Sequence, residues 1–408
     1  MRDTLSESMN ERNHQPPCQV GDECELEIHD LAFGGSGVGR FNGYTIFVPF
    51  TIPGERVRVR LSKVTPRYAE AGLVEILQAS DLRTDPPCPW FKRCAGCQYQ
   101  HLTYPAQLTA KTQQVQALLQ RIGRIADAPV QPIVPAPTPW AYRNKISLHG
   151  PGTPAYVGIA HTDRVPVDRC AIAEPGLNQA LAQWGETHPK GLAAHEDLTL
   201  RSDADGQVWT TTKSSSKRIR QHIAGMDWQT PIDSFFQVHP AMTERLVEHV
   251  CARVRASGCR TLIDAYAGVG LFGLSAASHV DQVFAIESDP AAAQAAMEHA
   301  RSLDQVEVIR QRVESVIDEL LKQLPAAETI CLLDPPRAGC HPAVLQAIAT
   351  HQPNRLLYIA CAPDRLARDL RTLTAAGYAL VSVQPFDVFP QTAHIEVVAE
   401  LAATDSQP

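Results

Sequence analysis

Thr261-Leu-Ile-Asp-Ala-Tyr-Ala-Gly-Val-Gly-Leu-Phe-Gly273 begins as a short apolar run, breaks at glycines and closes on residues able to start a helix. Strand, glycine turn and helix in that order make the first unit of a βα repeat. Further apolar runs at 283–287, 306–309, 329–333 and 356–360 are mostly separated by helical segments. The pattern predicts an α/β domain over 226–402 built on a doubly wound parallel sheet. Just upstream, a segment starting at Pro240 sets Met242, Leu246, Val247 and Val250 on one face, as a core-facing helix should.

Glycines 268, 270 and 273 satisfy the GxGxxG pattern, and Glu287 closes the next strand where a carboxylate bonds ribose hydroxyls. Taken alone, the loop fits a nicotinamide dinucleotide or S-adenosylmethionine. Asp264 and Tyr266 favour the second, because a carboxylate at the first strand's end meets an ammonium well and a pyrophosphate badly. Leu332-Leu-Asp-Pro-Pro-Arg337 places Asp334 at the fourth strand's edge, with two prolines stiffening the exit. Arg355-Leu-Leu-Tyr-Ile-Ala360 then ends at Cys361 and is stopped by Pro363, so this thiol sits at a strand's C-terminal edge, where open α/β sheets bind ligands. Glu396 follows thirty-five positions later.

Composition bounds the rest. A chain of 408 residues has material for two or three domains. Its net charge of −7 announces no nucleic-acid binding, so any such role must come from local basic patches. The start, Met1-Arg-Asp-Thr-Leu-Ser-Glu-Ser-Met-Asn10, lacks the apolar core of a secretion signal; a polar, disordered tail is expected over 1–17 and a cytoplasmic location for the protein. Over 18–78, short β-rich runs at Leu26-Glu-Ile28, Tyr44-Thr-Ile-Phe-Val48 and Val57-Arg-Val-Arg-Leu61 predict a small OB-like β-barrel. Arg40, Arg58, Arg60, Lys63 and Arg67 are its candidates for facing a phosphate backbone, against the alternative of a merely solvated face. A proline-rich central domain is expected over 79–225, with one helix over 105–125.

Eleven cysteines without a secretion signal point to reduced thiols, metal ligands or catalysis. Cys88-Pro-Trp-Phe-Lys-Arg-Cys94-Ala-Gly-Cys97 supplies three within ten residues, and Cys170 is the nearest later candidate for a fourth. Three clustered thiols with a remote fourth suit an iron–sulfur cluster better than zinc, which prefers two tight pairs. With no redox substrate motif nearby, a structural or RNA-positioning role is expected of such a cluster.

Together these motifs resemble the bacterial RNA uracil-C5 methyltransferases, most closely the 23S ribosomal-RNA members with an N-terminal TRAM barrel and a 4Fe-4S cluster. The resemblance spans 18–402. It is carried by Ala32-Phe-Gly-Gly-Ser-Gly-Val-Gly-Arg40, the four cysteines, Tyr142-Arg-Asn-Lys145, Ser234-Phe-Phe-Gln-Val238, the glycine loop, Asp334-Pro-Pro-Arg337, Cys361 and Phe389-Pro-Gln-Thr-Ala-His-Ile-Glu396. It implies a Rossmann-like class I methyltransferase domain, with S-adenosylmethionine held by Gln237, Tyr266, Gly268, Glu287 and Asp334. It makes Cys361 the nucleophile at uracil C6, Glu396 the base that removes the C5 proton, and Cys88, Cys94, Cys97 and Cys170 the cluster ligands. Arg143 and Lys145 would hold phosphates, Lys213-Ser-Ser-Ser-Lys-Arg-Ile-Arg220 would extend the basic track, and the target base would be extruded from folded RNA. RNA is the implied partner, ribosomal before transfer RNA; no membrane association and no obligate protein partner is implied.

Four positions depart from that pattern. Ala362 follows the cysteine where the family usually has Asn, His239 follows Gln-Val where Asn is common, and Leu271 and Arg312 stand where many members carry Asn near the cofactor. Two other classes compete: an RNA-binding assembly factor of the same fold with weakened catalysis, and a nicotinamide-dependent oxidoreductase.

Overall fold

The protein was analysed as a computed structural model that describes residues 16–212, 217–232 and 234–404. Most of the expected tail over 1–17, and residues 213–216 of the expected basic track, lie outside the described residues. The chain divides into two compact units, 1–84 and 85–408.

The first unit is a closed barrel of β1 (Glu23–Leu31), β2 (Ser36–Phe41), β3 (Tyr44–Pro49), β4 (Arg56–Val64) and β5 (Tyr68–Gln78), in the order β1-β2-β3-β5-β4. Alternation along the strands sends Leu26, Ile28, Ile46, Val48, Val57, Val59, Leu61, Ala69 and Ala71 inward. Gly37 faces the same interior because a Cβ there would lie 2.1 Å from the Thr51 Oγ1. On the outer face Arg56 and Arg58 pair with Glu25, Arg58 also with Glu75, Arg60 with Glu23 and Lys63 with Glu70. Thus Arg58, Arg60 and Lys63, expected as candidates for a phosphate-facing row, each carry a carboxylate partner. Such solvent-screened pairs add little to stability.

The second unit opens with α1 (Tyr104–Leu118), shorter than expected: a wider turn over Leu119–Gly123 follows, and Arg124 ends it in the left-handed region at φ 60°. Next come β6 (Lys145–His149), β7 (Ala155–Val157), β8 (Arg164–Pro166), α2 (Pro175–Thr187), β9 (Asp197–Ser202) and β10 (Val208–Thr211). They form an antiparallel sheet ordered β10-β9-β6-β7-β8, whose Ile146, Leu148, Leu198 and Leu200 pack on Leu177, Leu181 and Trp184 of α2. A hairpin of β11 (Arg218–Ile223) and β12 (Met226–Pro231) leads to α3 (Pro240–Ser257), which Gly258 terminates at φ 66°. In the hairpin, Arg218 pairs with Glu298 and Arg220 with Asp205 and Asp227. The described arginines of the expected basic track are therefore committed to carboxylates.

The large sheet contains β13 (Thr261–Ala265), β14 (Gln282–Ile286), β15 (Val306–Ile309), β16 (Thr329–Leu333), β17 (Arg355–Ala360), β18 (Tyr378–Phe386) and β19 (Glu396–Ala403). Helices α4 (Leu271–Ala276), α5 (Pro290–His299), α6 (Val313–Gln323), α7 (Pro342–His351) and α8 (Pro363–Ala375) connect them. The order is β15-β14-β13-β16-β17-β19-β18, with the first five strands parallel and β19 antiparallel to both neighbours. The predicted parallel strands all form, each within one residue of its expected bounds. Chain direction across the sheet reverses at β13, which opens a crevice beyond the strand ends there.

Register brings the critical ends together. Ala265 lies opposite both Ile286 and Leu333, Leu333 opposite Tyr358, and Ala360 opposite Val397. Residues just past β13, β14, β16 and β17 therefore share one edge with the first residue of β19. The segment entering β19 is tied down from below: Lys111 of α1 and Asp387, both fully buried, pair at 2.6 Å, and the same ammonium donates to the Phe389 carbonyl at 3.0 Å. Removing one partner of such a buried pair typically costs roughly 3–5 kcal/mol.

Candidate active site

Gln237, Tyr266, Gly268, Glu287, Asp334, Cys361 and Glu396 line one cavity of about 1220 Å³. Ligand cavities commonly reach about 1,000 Å³, so this one has room for more than one small molecule. All seven were expected in one site, and the fold assembles them at the crevice from six separate segments.

At the cofactor loop the glycines do different work. Gly268 and Gly270 take positive φ, at 59° and 90°, making the turn. Gly273 is needed for another reason: a Cβ there would lie 2.5 Å from the Asp264 Oδ2, which accepts the Gly273 amide at 2.9 Å. The loop is therefore built around a buried carboxylate, an arrangement hostile to pyrophosphate. Burial, with a smaller push from Glu287, raises Asp264 to about 7 against the pull of that amide. Its Oδ1 has no hydrogen-bond partner among the described residues, and neither does the buried Gln237 Oε1. One orphaned buried acceptor on the cavity wall, with a second beneath the cofactor loop, suits a ligand that brings donors.

Glu287, one residue past β14, is held at both oxygens: Gly268 donates to Oε2 at 2.8 Å and Asp289 to Oε1 at 2.6 Å. A carboxylate accepts about four hydrogen bonds, so capacity for a diol remains. Tyr266 sits at φ 68°, unusual for a non-glycine residue, with its hydroxyl accepting the His341 amide at 3.4 Å.

Asp334, Cys361 and Glu396 form the second half of the cavity. Burial first, then Asp264, raises Asp334 to about 8. Burial pushes the Cys361 thiol up to about 11, with Glu396 and Asp334 adding to the rise and Arg337 opposing it. Glu396, only 3% exposed, is pushed well above the usual carboxylate range by burial and then Asp334, again against Arg337. Both groups are therefore weaker acids than their exposed counterparts. A cation entering beside them favours ionisation of the whole group.

Arg337 and Phe235 are neighbours the sequence analysis quoted within motifs without giving them a role. Arg337 lines this cavity and the adjoining one, and so does Phe235, whose ring is 73% exposed. Of the departures, Leu271 and Arg312 line the cavity. His239 is buried instead, stacked on Tyr142 with ring centroids 4.6 Å apart. Ala362 caps α8 at φ −127° and offers no side-chain bond to the helix start.

Cys88, Cys94, Cys97 and Cys170 line the adjoining cavity, of about 490 Å³, together with Arg143, Lys145 and Arg169. All four are free thiols. The first three lie on a tight turn in which the Cys94 amide donates to the Trp90 carbonyl and the Gly96 amide points at the Cys94 sulfur at 3.4 Å. Cys170 is fixed by Asn178, which accepts its amide at 2.8 Å and donates to its carbonyl at 3.1 Å. Burial, partly offset by a hydrogen bond with Gln100, raises Cys97 to about 12; the neighbouring thiols add to the rise. Among the described residues no three metal-ligating side chains converge tightly enough to hold a single ion. The four thiols share the wall of one cavity.

The profile of the tRNA (Uracil-5-)-methyltransferase family matches 215–403, and that of the TRAM domain matches 17–74. A protein of Thermosynechococcus vestitus named "Uncharacterized RNA methyltransferase" is 32% identical over 449 residues, covering 95% of this chain and 99% of its own. A protein of the same description from Nostoc sp. is also 32% identical, covering 95% and 97%. The solved structure of Pyrococcus abyssi tRNA (uracil-54, C5)-methyltransferase with S-adenosyl-L-homocysteine shares the fold, at a TM-score of 0.70 and 22% identity over 93% of this chain and 100% of that one. No described helix is long and apolar enough to cross a membrane.

The carboxylates make a cofactor prediction. Asp264 and Asp334 must shed protons to face a sulfonium and an ammonium, so affinity for S-adenosylmethionine should rise from pH 6 to about 8.5 and then level off. S-adenosylhomocysteine, whose sulfur is neutral, should show a shallower rise. Calorimetric titration of both ligands across this range checks it; parallel pH profiles would contradict it.

Proposed function

This chain belongs to the tRNA (uracil-5-)-methyltransferase family of S-adenosylmethionine-dependent RNA methyltransferases and carries a TRAM domain, and we propose that it forms 5-methyluridine in ribosomal RNA through a covalent Cys361–C6 adduct. The observation that carries the proposal is the meeting of Cys361, Asp334 and Glu396 in the cavity that also holds Gln237, Tyr266, Gly268 and Glu287.

Uracil C5 is too weak a nucleophile to take a methyl group unaided. Addition of the Cys361 sulfur to C6 turns the ring into an enolate whose C5 carries the electron pair. S-adenosylmethionine, held by Gln237, Tyr266, Gly268, Glu287 and Asp334, supplies the methyl cation. Asp334 borders both halves of the cavity and orients the ring. Arg337 faces Cys361 and Glu396 and favours the thiolate. After methylation C5 bears a methyl and a proton, and Glu396 takes the proton. The C5–H electron pair becomes the C5=C6 bond while the C6–S bond breaks, and sulfur leaves with its pair as thiolate. Burial makes Glu396 a stronger base than an exposed carboxylate, suiting a step that commonly gains about 100–10,000-fold from such a group.

In this reading the four thiols hold a 4Fe-4S cluster in a small central domain. Arg143, Lys145, Arg169 and Arg337 around the two cavities hold phosphates, and exposed Phe235 offers a face on which an extruded base can stack. The barrel and the thiol cavity together favour ribosomal RNA, by the resemblance that both features carry. Transfer RNA is the second reading, favoured by the family's description and by the substrate in the Pyrococcus abyssi protein's title.

Mapping 5-methyluridine in both RNA classes from cells lacking the protein tests the substrate. Loss from 23S ribosomal RNA alone is the expected result; loss from transfer RNA alone would move the assignment there. Protein purified without oxygen should be brown and hold about four irons per chain. Stoichiometric zinc without iron would contradict the cluster.

A further inference from the structure

Helix α1 buries Gln107, Lys111 and Gln114 on the face that would ordinarily be apolar. Two of the three are spent on the segment leading into Glu396. Gln107 and Gln391 form a reciprocal pair: Gln107 Nε2 donates to the Gln391 Oε1 at 2.9 Å, and the Gln391 amide donates to the Gln107 Oε1 at 3.0 Å. Lys111 holds Asp387 and the Phe389 carbonyl. The turn just after Cys97 adds three bonds. The Gln98 and Tyr99 amides donate to the Gln391 carbonyl at 3.1 and 2.9 Å, and the Gln98 Oε1 accepts the Ala393 amide at 3.0 Å. Tyr142 donates its hydroxyl to the Pro390 carbonyl at 3.0 Å.

This lattice holds Gln391 at φ 68°, in the left-handed region that a non-glycine residue occupies only when its surroundings impose it. Five residues later Glu396 enters β19 opposite Phe386 of β18, and from Val397 onward the strand pairs with β17 as well. Glu396 thus stands at a junction. Strand pairing fixes the chain from Glu396 onward, and the lattice fixes the loop that leads into it.

We infer that Gln107 and Gln98 are positioning residues for Glu396, acting through Gln391 to aim its carboxylate at the C5 proton. The inference rests on the proposed role of Glu396 as base. Neither glutamine lines the methyl-donor cavity, so the lattice bears on proton removal and adduct release, leaving cofactor binding and thiol addition untouched. A misplacement of about 1 Å can cost on the order of 100-fold in such a step.

Gln107→Leu keeps the side chain's bulk and removes both bonds between Gln107 and Gln391. The whole protein carrying it, given RNA tritiated at uracil C5, should bind S-adenosylmethionine and form the covalent RNA complex at wild-type rates. Tritium release should then lag methyl transfer, with turnover down about 10–100-fold and the adduct accumulating on gels. Gln391→Asn tolerates positive φ but is one methylene too short to reach Gln107, and should reproduce the defect. Gln114→Leu, which breaks a bond to the Tyr99 hydroxyl, should not. Wild-type release in both strap variants, or equal loss of adduct formation and release, would overturn the inference. Glu396→Gln separates the two claims. If it accumulates adduct and the strap variants do not, the strap alone fails; if it accumulates none, the base reading fails and takes the inference with it.

Discussion

The antiparallel pairing of β17 with β19 is the constraint on which the site depends. Ala360 faces Val397 across it, so the residue that leaves one strand, Cys361, meets the residue that enters the other, Glu396. A slip of one residue would turn every β19 side chain to the opposite face and take the carboxylate out of the cavity. The slip is blocked on several sides. Every residue of β19 is buried, Glu400 at its centre pairs with Arg253 of α3 at 2.5 Å, and β18 pairs along nearly its whole length.

Charge is the second organising quantity. Asp264, Glu287, Asp334 and Glu396 line or underlie one crevice, with Arg337 the cation that weighs against Glu396 and against the Cys361 thiol. Burial leaves three of these carboxyls and the thiol less acidic than usual, a bias that a cationic ligand in the cavity opposes. That argues for a sulfonium cofactor over a pyrophosphate, and it does so through Gly273, whose missing side chain makes room for Asp264. The glycine pattern alone does not distinguish the two.

The parallel strands were legible because each is a short apolar run closed by a turn, and Cys361 was legible because Pro363 stops its strand. Other elements left weaker traces. β19, read as Glu-Val-Val-Ala-Glu-Leu-Ala-Ala, has neither alternation nor a purely apolar sequence, since Glu400 is buried only by virtue of Arg253. In the barrel, β2 hides its alternation behind Gly37 and Gly39, which face the interior without side chains. The strands of the β6–β10 sheet are three to six residues long and punctuated by turns, too short for a period to show. The pairs of Lys111 with Asp387 and of Gln107 with Gln391 join residues 276 and 284 positions apart, and no local pattern signals them. The barrel's arginines were visible, but their carboxylate partners come from neighbouring strands.

The central claim is that Cys361 attacks the uracil ring, and trapping tests it most directly. An RNA substrate carrying 5-fluorouridine has no C5 proton for Glu396 to remove, so methyl transfer should leave the ring bound to the protein. Incubated with S-adenosylmethionine, digested and sequenced by mass spectrometry, the complex should place one methylated fluorouridine on the peptide containing Cys361. An adduct on another residue, or none from enzyme that methylates ordinary RNA, would contradict the account.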